Sequence, residues 1–377
     1  MYSIEKSKGF NVLGNFDYIL FTSVSILSII GLFIVRSATL EMSKGDKMFY
    51  VQLGSWFVGL ILAMLISKMD YNDLKNLGIV LYVFCMLLLI LVLFIGYGET
   101  LNSRSWFNVP MIGSFQPSEL AKIAFVIMTA IYFEKIKDGH KRKYNSMLKL
   151  VVFSIIPIIL ILRQPDVGTV AVFIISFLVM LFICGLPYKY ILITIFLMIP
   201  MSIYIWFFKL AKYQKSRILV LFHPEDDLQG KGYNVYKSKI AVGSGQLTGK
   251  GLFKGIQTQN SGVPVKESDF IFSVIGEELG FIGAVIILLL IFFILMRCIY
   301  IAKNAKDSFG SFIVIGFTSI LAFHYIENVS MNIGLLPVTG IPMPFVSQGG
   351  SALITNYISI GIILSVSMRK SRSIFKT

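Results

Sequence analysis

Apolar runs of about 20 residues, each long enough to cross roughly 30 Å of hydrocarbon, recur from one end of this chain to the other. They fall at 18–35, 49–67, 76–96, 118–134, 148–163, 166–184, 188–208, 270–296, 310–333 and 350–368, about ten in all. Within each run apolar residues follow one another without alternation, so the runs predict helices; strands of a membrane barrel would alternate apolar and polar residues in segments of about ten. Only 14% of the residues are charged, against about 25% in soluble proteins. The expected fold is an all-α integral membrane protein, one polytopic domain over 1–377. The first run follows Lys6 and Lys8 but is too long for a signal peptide and lacks an A-x-A site, so it reads as a retained anchor.

Orientation follows from the basic residues. Lys and Arg concentrate in 1–17, 67–76, 134–149, 185–189, 297–308 and 369–377, whereas the short connections on the other side hold Arg36, Lys44, Lys47, Arg104 and Arg163. Positive charge stays on the cytoplasmic side, so both termini are expected there. The net charge of +14 lies between spans, which points to anionic membrane lipid as the partner and not to nucleic acid. Cys85, Cys184 and Cys298 each sit in or beside a different apolar run without C-x-x-C spacing, so they read as helix-packing residues.

That topology makes 209–270 a large extracytoplasmic loop, the one long polar interval in the chain. It is rich in cations: Lys209, Lys212, Lys215, Arg217, Lys231, Lys237, Lys239, Lys250, Lys254 and Lys266. Two readings stand side by side: contact with anionic headgroups, or capture of a pyrophosphate-linked lipid. Gly243-Ser244-Gly245 and Gly249-Lys250-Gly251 add backbone freedom but lack the spacing of a nucleotide P-loop. The loop ends in Glu267-Ser268-Asp269-Phe270-Ile271-Phe272. A carboxylate at the entry to a membrane helix is partly desolvated and oriented, which makes Asp269 the candidate general base.

Ionisable side chains inside spans cost about 3 kcal/mol on insertion scales and normally face a cavity or a partner. Glu119 and Lys122, three apart, share a helix face and suit an ion pair. Arg104 and Trp106 set a guanidinium near an aromatic ring in a short loop, as an interface anchor or a sugar platform. Pro165 breaks a helix and Asp166 can cap the next one. At least one of Glu277 and Glu278 must point into the bundle, and His324, Glu327, Asn328 and Asn332 form a polar stripe suited to interhelical hydrogen bonds. The segment from Leu336 to Ser351 is too rich in Pro and Gly to be helix and too apolar to float in water, so it should pack on the mouth of the bundle.

Taken together, Gln116-Pro117-Ser118-Glu119-Leu120-Ala121-Lys122, Gln164-Pro165-Asp166-Val167-Gly168-Thr169, Ser238-Lys239-Ile240-Ala241-Val242-Gly243-Ser244-Gly245, Asp269-Phe270-Ile271-Phe272 with Glu277-Glu278-Leu279-Gly280, and Pro337 to Ser351 resemble the SEDS family of cell-wall polymerases, which includes RodA, FtsW and SpoVE. Gly255-Ile256-Gln257-Thr258-Gln259 and Thr339-Gly340-Ile341-Pro342 are more similar to the elongation members than to the division members. The resemblance implies a ten-helix enzyme of the bacterial inner membrane that polymerises lipid II into glycan on the outer face. Its implied partners are lipid II, undecaprenyl-pyrophosphate-linked glycan, a class B penicillin-binding protein and elongation-complex proteins. The essential aspartate of the family falls on Asp269, and Arg104, Trp106, Glu119, Lys122 and Asp166, with Lys239 and Ser347 from the matched segments, make the implied substrate-binding set. Two departures are Glu267-Ser268 in place of His-Thr and Ser347-Gln348-Gly349-Gly350 in place of Ser-Tyr-Gly-Gly.

The expected chemistry is removal of the proton from the acceptor 4-hydroxyl by Asp269 while undecaprenyl pyrophosphate leaves from the opposite face, a single inversion. Arg104, Lys122 and loop lysines are candidates for the pyrophosphate, with Mg2+ or Mn2+ as the implied metal and no organic cofactor. The rival readings are a lipid II flippase, built on the buried polar stripes, and a non-catalytic scaffold of the cell-wall synthesis complex.

Overall fold

The computed structural model describes residues 16–98, 104–109, 113–139, 143–185, 231–259 and 262–370, with isolated positions between 192 and 215. The chain runs through α1 (Tyr18–Thr39), α2 (Gly45–Lys68), α3 (Asp73–Ile95), a hairpin of β1 (Phe107–Val109) and β2 (Gly113–Phe115), α4 (Pro117–Lys137), α5 (Lys143–Leu162) and α6 (Val167–Ile183). It continues through α7 (Lys231–Ser244), a single turn α8 (Ile256–Gln259), α9 (Ile271–Lys303), α10 (Ser308–Asn332) and α11 (Gly350–Met368). Every expected span except 188–208, which lies outside the described residues apart from isolated positions, coincides with one of these helices.

Local chemistry fixes the helix starts. Asp17 and Asp307 accept the backbone N–H of Leu20 and Gly310 at 3.0 and 2.7 Å, each occupying one of the orphan donors of a first turn. Pro117 opens α4, where its missing N–H costs nothing.

Seven described helices are long and apolar enough to cross a membrane, and α6 is an apolar helix of 17 residues. The central helix α4 falls outside that set because Glu119, Lys122 and Glu134 make it more polar. It packs against α3, α5, α6, α10 and α11 and is buried along nearly its whole length, so it presents almost nothing to lipid. In α11, 78% of the apolar window is buried, against 22% in α2, although the two helices run along each other. The outward faces of α2, α3 and α9 carry exposed Phe57, Leu65, Val80, Phe94, Leu289 and Phe292, the surface a bilayer would cover.

The end of the bundle where α1 begins and α11 ends is tied by charged side chains. Asp17, 5% exposed, accepts Arg297 Nε at 3.1 Å and Ser367 Oγ at 3.4 Å and lies 3.9 Å from Lys370 Nζ, joining the start of α1 to α9 and to the end of α11. Tyr71 donates to Asp307 at 2.7 Å and Lys75 to Glu134 at 2.7 Å in the same region.

The interval expected as a large loop contains helical segments where it is described. Its described part is α7, a glycine-containing turn and α8, folded back onto the first turns of α9. The reason lies in α9 itself, which breaks at Gly280 (φ 68°, ψ −168°). The break frees carbonyls of Glu277 and Glu278, which accept from the backbone N–H of Lys250 and Gly251, both at 3.0 Å. It also frees the N–H groups of Phe281 and Ile282, which donate to the carbonyls of Gln246 and Leu247 at 2.8 and 3.0 Å. The 246–251 segment thus supplies what the missing turn of helix would have supplied. Gly245 and Gly249 lie so close to the 276–279 backbone that a Cβ on either would collide with it, so here the glycines serve close approach.

Candidate active site

Asp269 stands in the turn immediately before α9, half-buried, and is held through its backbone. Its carbonyl oxygen accepts from Asn328 Nδ2 at 2.9 Å and from Asn332 Nδ2 at 3.1 Å, both on the last turns of α10. Asn328 also donates to Ile341 O at 2.9 Å, and Asn332 Oδ1 accepts the N–H of Ser273 at 3.1 Å and Ser238 Oγ at 3.1 Å. The polar stripe therefore makes interhelical bonds, and their convergence point is the residue expected to be the base. On the side-chain end, Ser268 Oγ donates to Asp269 Oδ1 at 3.2 Å.

The 336–349 segment closes over this turn as expected, with Val338, Ile341, Met343, Phe345 and Val346 buried. Ser347 Oγ donates to Ser268 O at 2.6 Å while accepting the Met343 N–H at 2.8 Å, and Gln348 N donates to Glu267 O at 2.8 Å. Gln52, 1% exposed on α2, grips the same segment by donating to Ser347 O and accepting from Gly349 N, both at 3.0 Å. Ser347 thus positions the Asp269 turn, and both departures from the expected motifs, Glu267 and Gln348, meet in one backbone bond. A Cβ on Gly340 would come within 3.3 Å of Asp269 Oδ2, so this glycine keeps the wall beside the carboxylate open.

Next along the wall is Thr339, whose hydroxyl donates to Glu327 Oε1. Glu327 is 1% exposed and its Oε2 has no hydrogen-bond partner among the described residues. Gly168, in the first turn of α6, abuts Thr339: a Cβ there would lie 3.0 Å from the Thr339 Cβ. This contact brings up Asp166, which caps α6 by accepting Thr169 N at 2.9 Å, and which also accepts Thr169 Oγ1 at 2.7 Å and Gln116 Nε2 at 3.2 Å.

Glu119 and Lys122 form the expected pair at 2.9 Å, deep between α4, α10 and α11, with Lys122 Nζ 3.4 Å from His324 Nε2 and Thr355 Oγ1 donating to Glu119 at 3.3 Å. A small cavity lined by Glu119, His324, Pro342, Phe345, Ser347 and Asn356 links this pair to the closing segment.

The remaining expected site residues are placed differently. Arg104 is exposed and donates to the carbonyls of Phe94 and Leu93 at 2.8 and 3.4 Å, capping the end of α3. Trp106 is half-buried and pairs with Tyr97 in an isolated bridge; its hairpin reaches the site through Ser105, which donates to Gln164 O at 3.4 Å, two residues before Asp166. Lys239 is exposed on α7, next to Ser238 and against Gly334 at the end of α10, without a hydrogen bond or ion pair among the described residues. Lys266, 2% exposed, donates to the Thr258 and Gln259 carbonyls, and burial lowers it from the usual lysine value.

Glu277 and Glu278 both turn inward. Glu277, fully buried, accepts Lys250 Nζ and the N–H groups of Gln257 and Thr258, each at 2.8 Å. Glu278 accepts Ser37 Oγ at 2.6 Å and Phe253 N at 3.1 Å. Among the described residues no group of three or more His, Cys, Asp or Glu is arranged to hold a metal ion. Gln52 and Thr339 are the supports that sequence reading passed over. For Gln52 the signal was there, an amide inside an apolar run with no other reason to be buried.

With this geometry in view, the relatives of the chain fall into place. Peptidoglycan glycosyltransferase MrdB of Escherichia coli K12 is 33% identical over 343 residues, covering 90% of this chain and 92% of that one. Stage V sporulation protein E of Bacillus subtilis is 36% identical over 361 residues, covering 93% and 96%. A solved chain described under "Structural coordination of polymerization and crosslinking by a peptidoglycan synthase complex" superposes with a TM-score of 0.76 at 28% identity, covering 93% of this chain and 97% of that one. The profile of FtsW, RodA and SpoVE, described as cell cycle protein, matches residues 17–372, and the chain belongs to that family, a multi-pass membrane protein of the SEDS type.

Proposed function

We propose that this chain, a peptidoglycan glycosyltransferase by family, polymerises lipid II into glycan strands as a RodA-type enzyme of cell elongation, with Asp269 as general base. The observation that carries this reading is the way Asp269 is held: two asparagines of α10 fix its carbonyl, Ser347 fixes the preceding residue, and Gly340 leaves room beside Oδ2. Backbone bonds thus fix the residue, and on its side chain Ser268 Oγ donates to Oδ1 at 3.2 Å. It takes the proton of the acceptor sugar hydroxyl as that oxygen attacks the donor anomeric carbon, and the pyrophosphate carrier departs from the far side, so the linkage inverts. General-base help is worth about 10²–10⁴-fold; the rest comes from orientation and from cations near the leaving group. Exposed Lys239, one residue from the Ser238–Asn332 bond, suits that last role.

The site faces the extracytoplasmic side in this reading. Lys75, Arg297, Arg369 and Lys370 cluster at the bundle end where α1 begins and α11 ends, as the positive-inside rule asks of a cytoplasmic face. The elongation role rests on Gly255–Gln259 and Thr339–Pro342, and a class B penicillin-binding protein is the expected crosslinking partner.

One observation favours a second reading, a lipid II flippase: the Glu119–Lys122–His324 cluster with its cavity lies inside the bundle, where a transport path would run. Purified protein given labelled lipid II and no transpeptidase should yield a ladder of long glycan, lost in Asp269→Asn. Flipping without any ladder would overturn the polymerase reading.

A further inference from the structure

Residues 266–269, which lead up to and include the proposed base, are each tied to another part of the molecule. Gln348 N binds the Glu267 carbonyl, Ser347 Oγ the Ser268 carbonyl, and Asn328 and Asn332 the Asp269 carbonyl, so these ties come from the closing segment and from α10. Lys266 is tied by its side chain and in another direction. It is 2% exposed, and its ammonium donates to the carbonyls of Thr258 and Gln259 at the end of α8. That turn is clasped from its other side. Glu277 accepts the N–H groups of Gln257 and Thr258, both at 2.8 Å, and Gln259 Nε2 donates to Ser37 O at 3.0 Å, to Ser37 Oγ at 2.9 Å and to Glu278 Oε1 at 3.2 Å. A chain of direct bonds therefore runs from the last turn of α1, through α8, to Lys266. Next to it, Val265 holds a φ of 55°, left-handed backbone that a β-branched residue seldom adopts, and its carbonyl accepts the N–H groups of Ser268 and Phe270 at 3.3 and 3.2 Å. Such a conformation persists only where the surroundings over-determine it.

We propose that Lys266 is a positioning residue for the reaction: its ammonium ties the Asp269 turn to α8 and so sets where that carboxylate stands. This rests on the reading of Asp269 as the general base. Lys266 itself is not presented to substrate, because it is buried with its donors on two carbonyls, unlike exposed Lys239 and Lys254. Its work is done through the backbone. Without the ammonium, the Thr258 and Gln259 carbonyls lose this donor, the strained turn at Val265 is free to relax, and Asp269 shifts from its place beside Gly340. A displacement of about 1 Å in a reacting group costs on the order of a hundredfold in rate. Substrate affinity, which depends on other residues, stays as it was, so the loss falls on kcat.

The test follows initial rates of lipid II polymerisation by the purified full chain, with thermal unfolding in detergent reporting the fold. Lys266→Met, of similar length but without a donor, should lose about tenfold to a hundredfold in kcat with KM within about twofold of wild type. Lys266→Arg, which keeps charge and donors, should stay within about threefold. Gln259→Leu leaves Lys266 intact and cuts the chain of bonds at its far end; it should lose about three- to tenfold in kcat. The two ties act in series, so the double variant Lys266→Met with Gln259→Leu should be at most about twofold slower than the slower single variant, well short of the product. A folded Lys266→Met with wild-type kcat, a raised KM at unchanged kcat, a folded Lys266→Arg as slow as Lys266→Met, a Gln259→Leu at the wild-type rate, or a double variant at the product of the single effects would each overturn the proposal. The Gln259→Leu rate decides the matter even where Lys266→Met does not fold. Asp269→Asn measured alongside separates the two ideas: activity surviving there sinks the general base itself, whereas an inactive Asp269→Asn with any of those outcomes sinks the role of Lys266 alone.

Discussion

Asp269, in the turn before α9, and the Glu277–Glu278 pair, about two turns into that helix, are handled in opposite ways. Glu277 and Glu278 spend their oxygens on structure: Lys250, Ser37 and the N–H groups of Phe253, Gln257 and Thr258 all converge on them. Asp269 is fixed by its carbonyl, through Asn328 and Asn332, and its carboxylate stays half-buried at an open wall. Glu277 and Glu278 are gripped by backbone amides on their side chains, whereas the proposed base is held chiefly by side chains on its backbone.

The contrast breaks most sharply at its functional end. Replacing Asp269 with Asn should lower polymerisation by about 10²–10⁴-fold while leaving thermal unfolding within about 1 kcal/mol of wild type; a large loss of stability would mean this acid, too, is structural. At the other end the effect reverses. Glu277→Ala strands Lys250 and two buried amides and should destabilise the protein by about 3–5 kcal/mol, read as an early melt, while molecules that remain folded keep more activity than Asp269→Asn.

The supports lie between these extremes. Asn328→Leu removes one of the two donors on the Asp269 carbonyl and the side-chain donor on Ile341 O; the rate should drop between about tenfold and a hundredfold by misplacement of the base, with KM nearly constant. Unchanged kcat there would show that the carbonyl clamp is dispensable. The smallest effect belongs to Ser347→Ala, where loss of the 2.6 Å bond to Ser268 O should cost only about two- to tenfold in rate, since Gln52 still holds the segment. Adding Gln52→Leu should deepen the loss beyond the product of the single effects, because the two residues grip one loop.

What the sequence revealed follows from which interactions are local. Spans are legible because hydrophobic length is a property of consecutive residues, and Asp166 as a helix cap or Glu119–Lys122 as a pair needs only three residues of spacing. Asp269 stood out by its place at the end of a polar interval. Harder to read was that Asn328 and Asn332 aim at its carbonyl, since the two sides are 59 and 63 residues apart in the chain. The fold-back of 231–259 was hidden for a related reason. Its polar composition suits water, and only the break at Gly280 explains why it must pack on α9 instead. Helix α4 shows the converse: its charges make it a weak candidate by hydropathy, yet among the described residues it is buried along nearly its whole length, and those charges find partners in Glu134–Lys75 and Glu119–Lys122.

The break at Gly280 carries one more consequence. Four main-chain groups of α9 find their mates only in residues 246–251, so that stretch is in effect a transplanted coil of the helix. It cannot swing aside as a free flap without baring those groups, at several kcal/mol apiece next to hydrocarbon. A force applied to that stretch would therefore be passed directly to the first turns of α9.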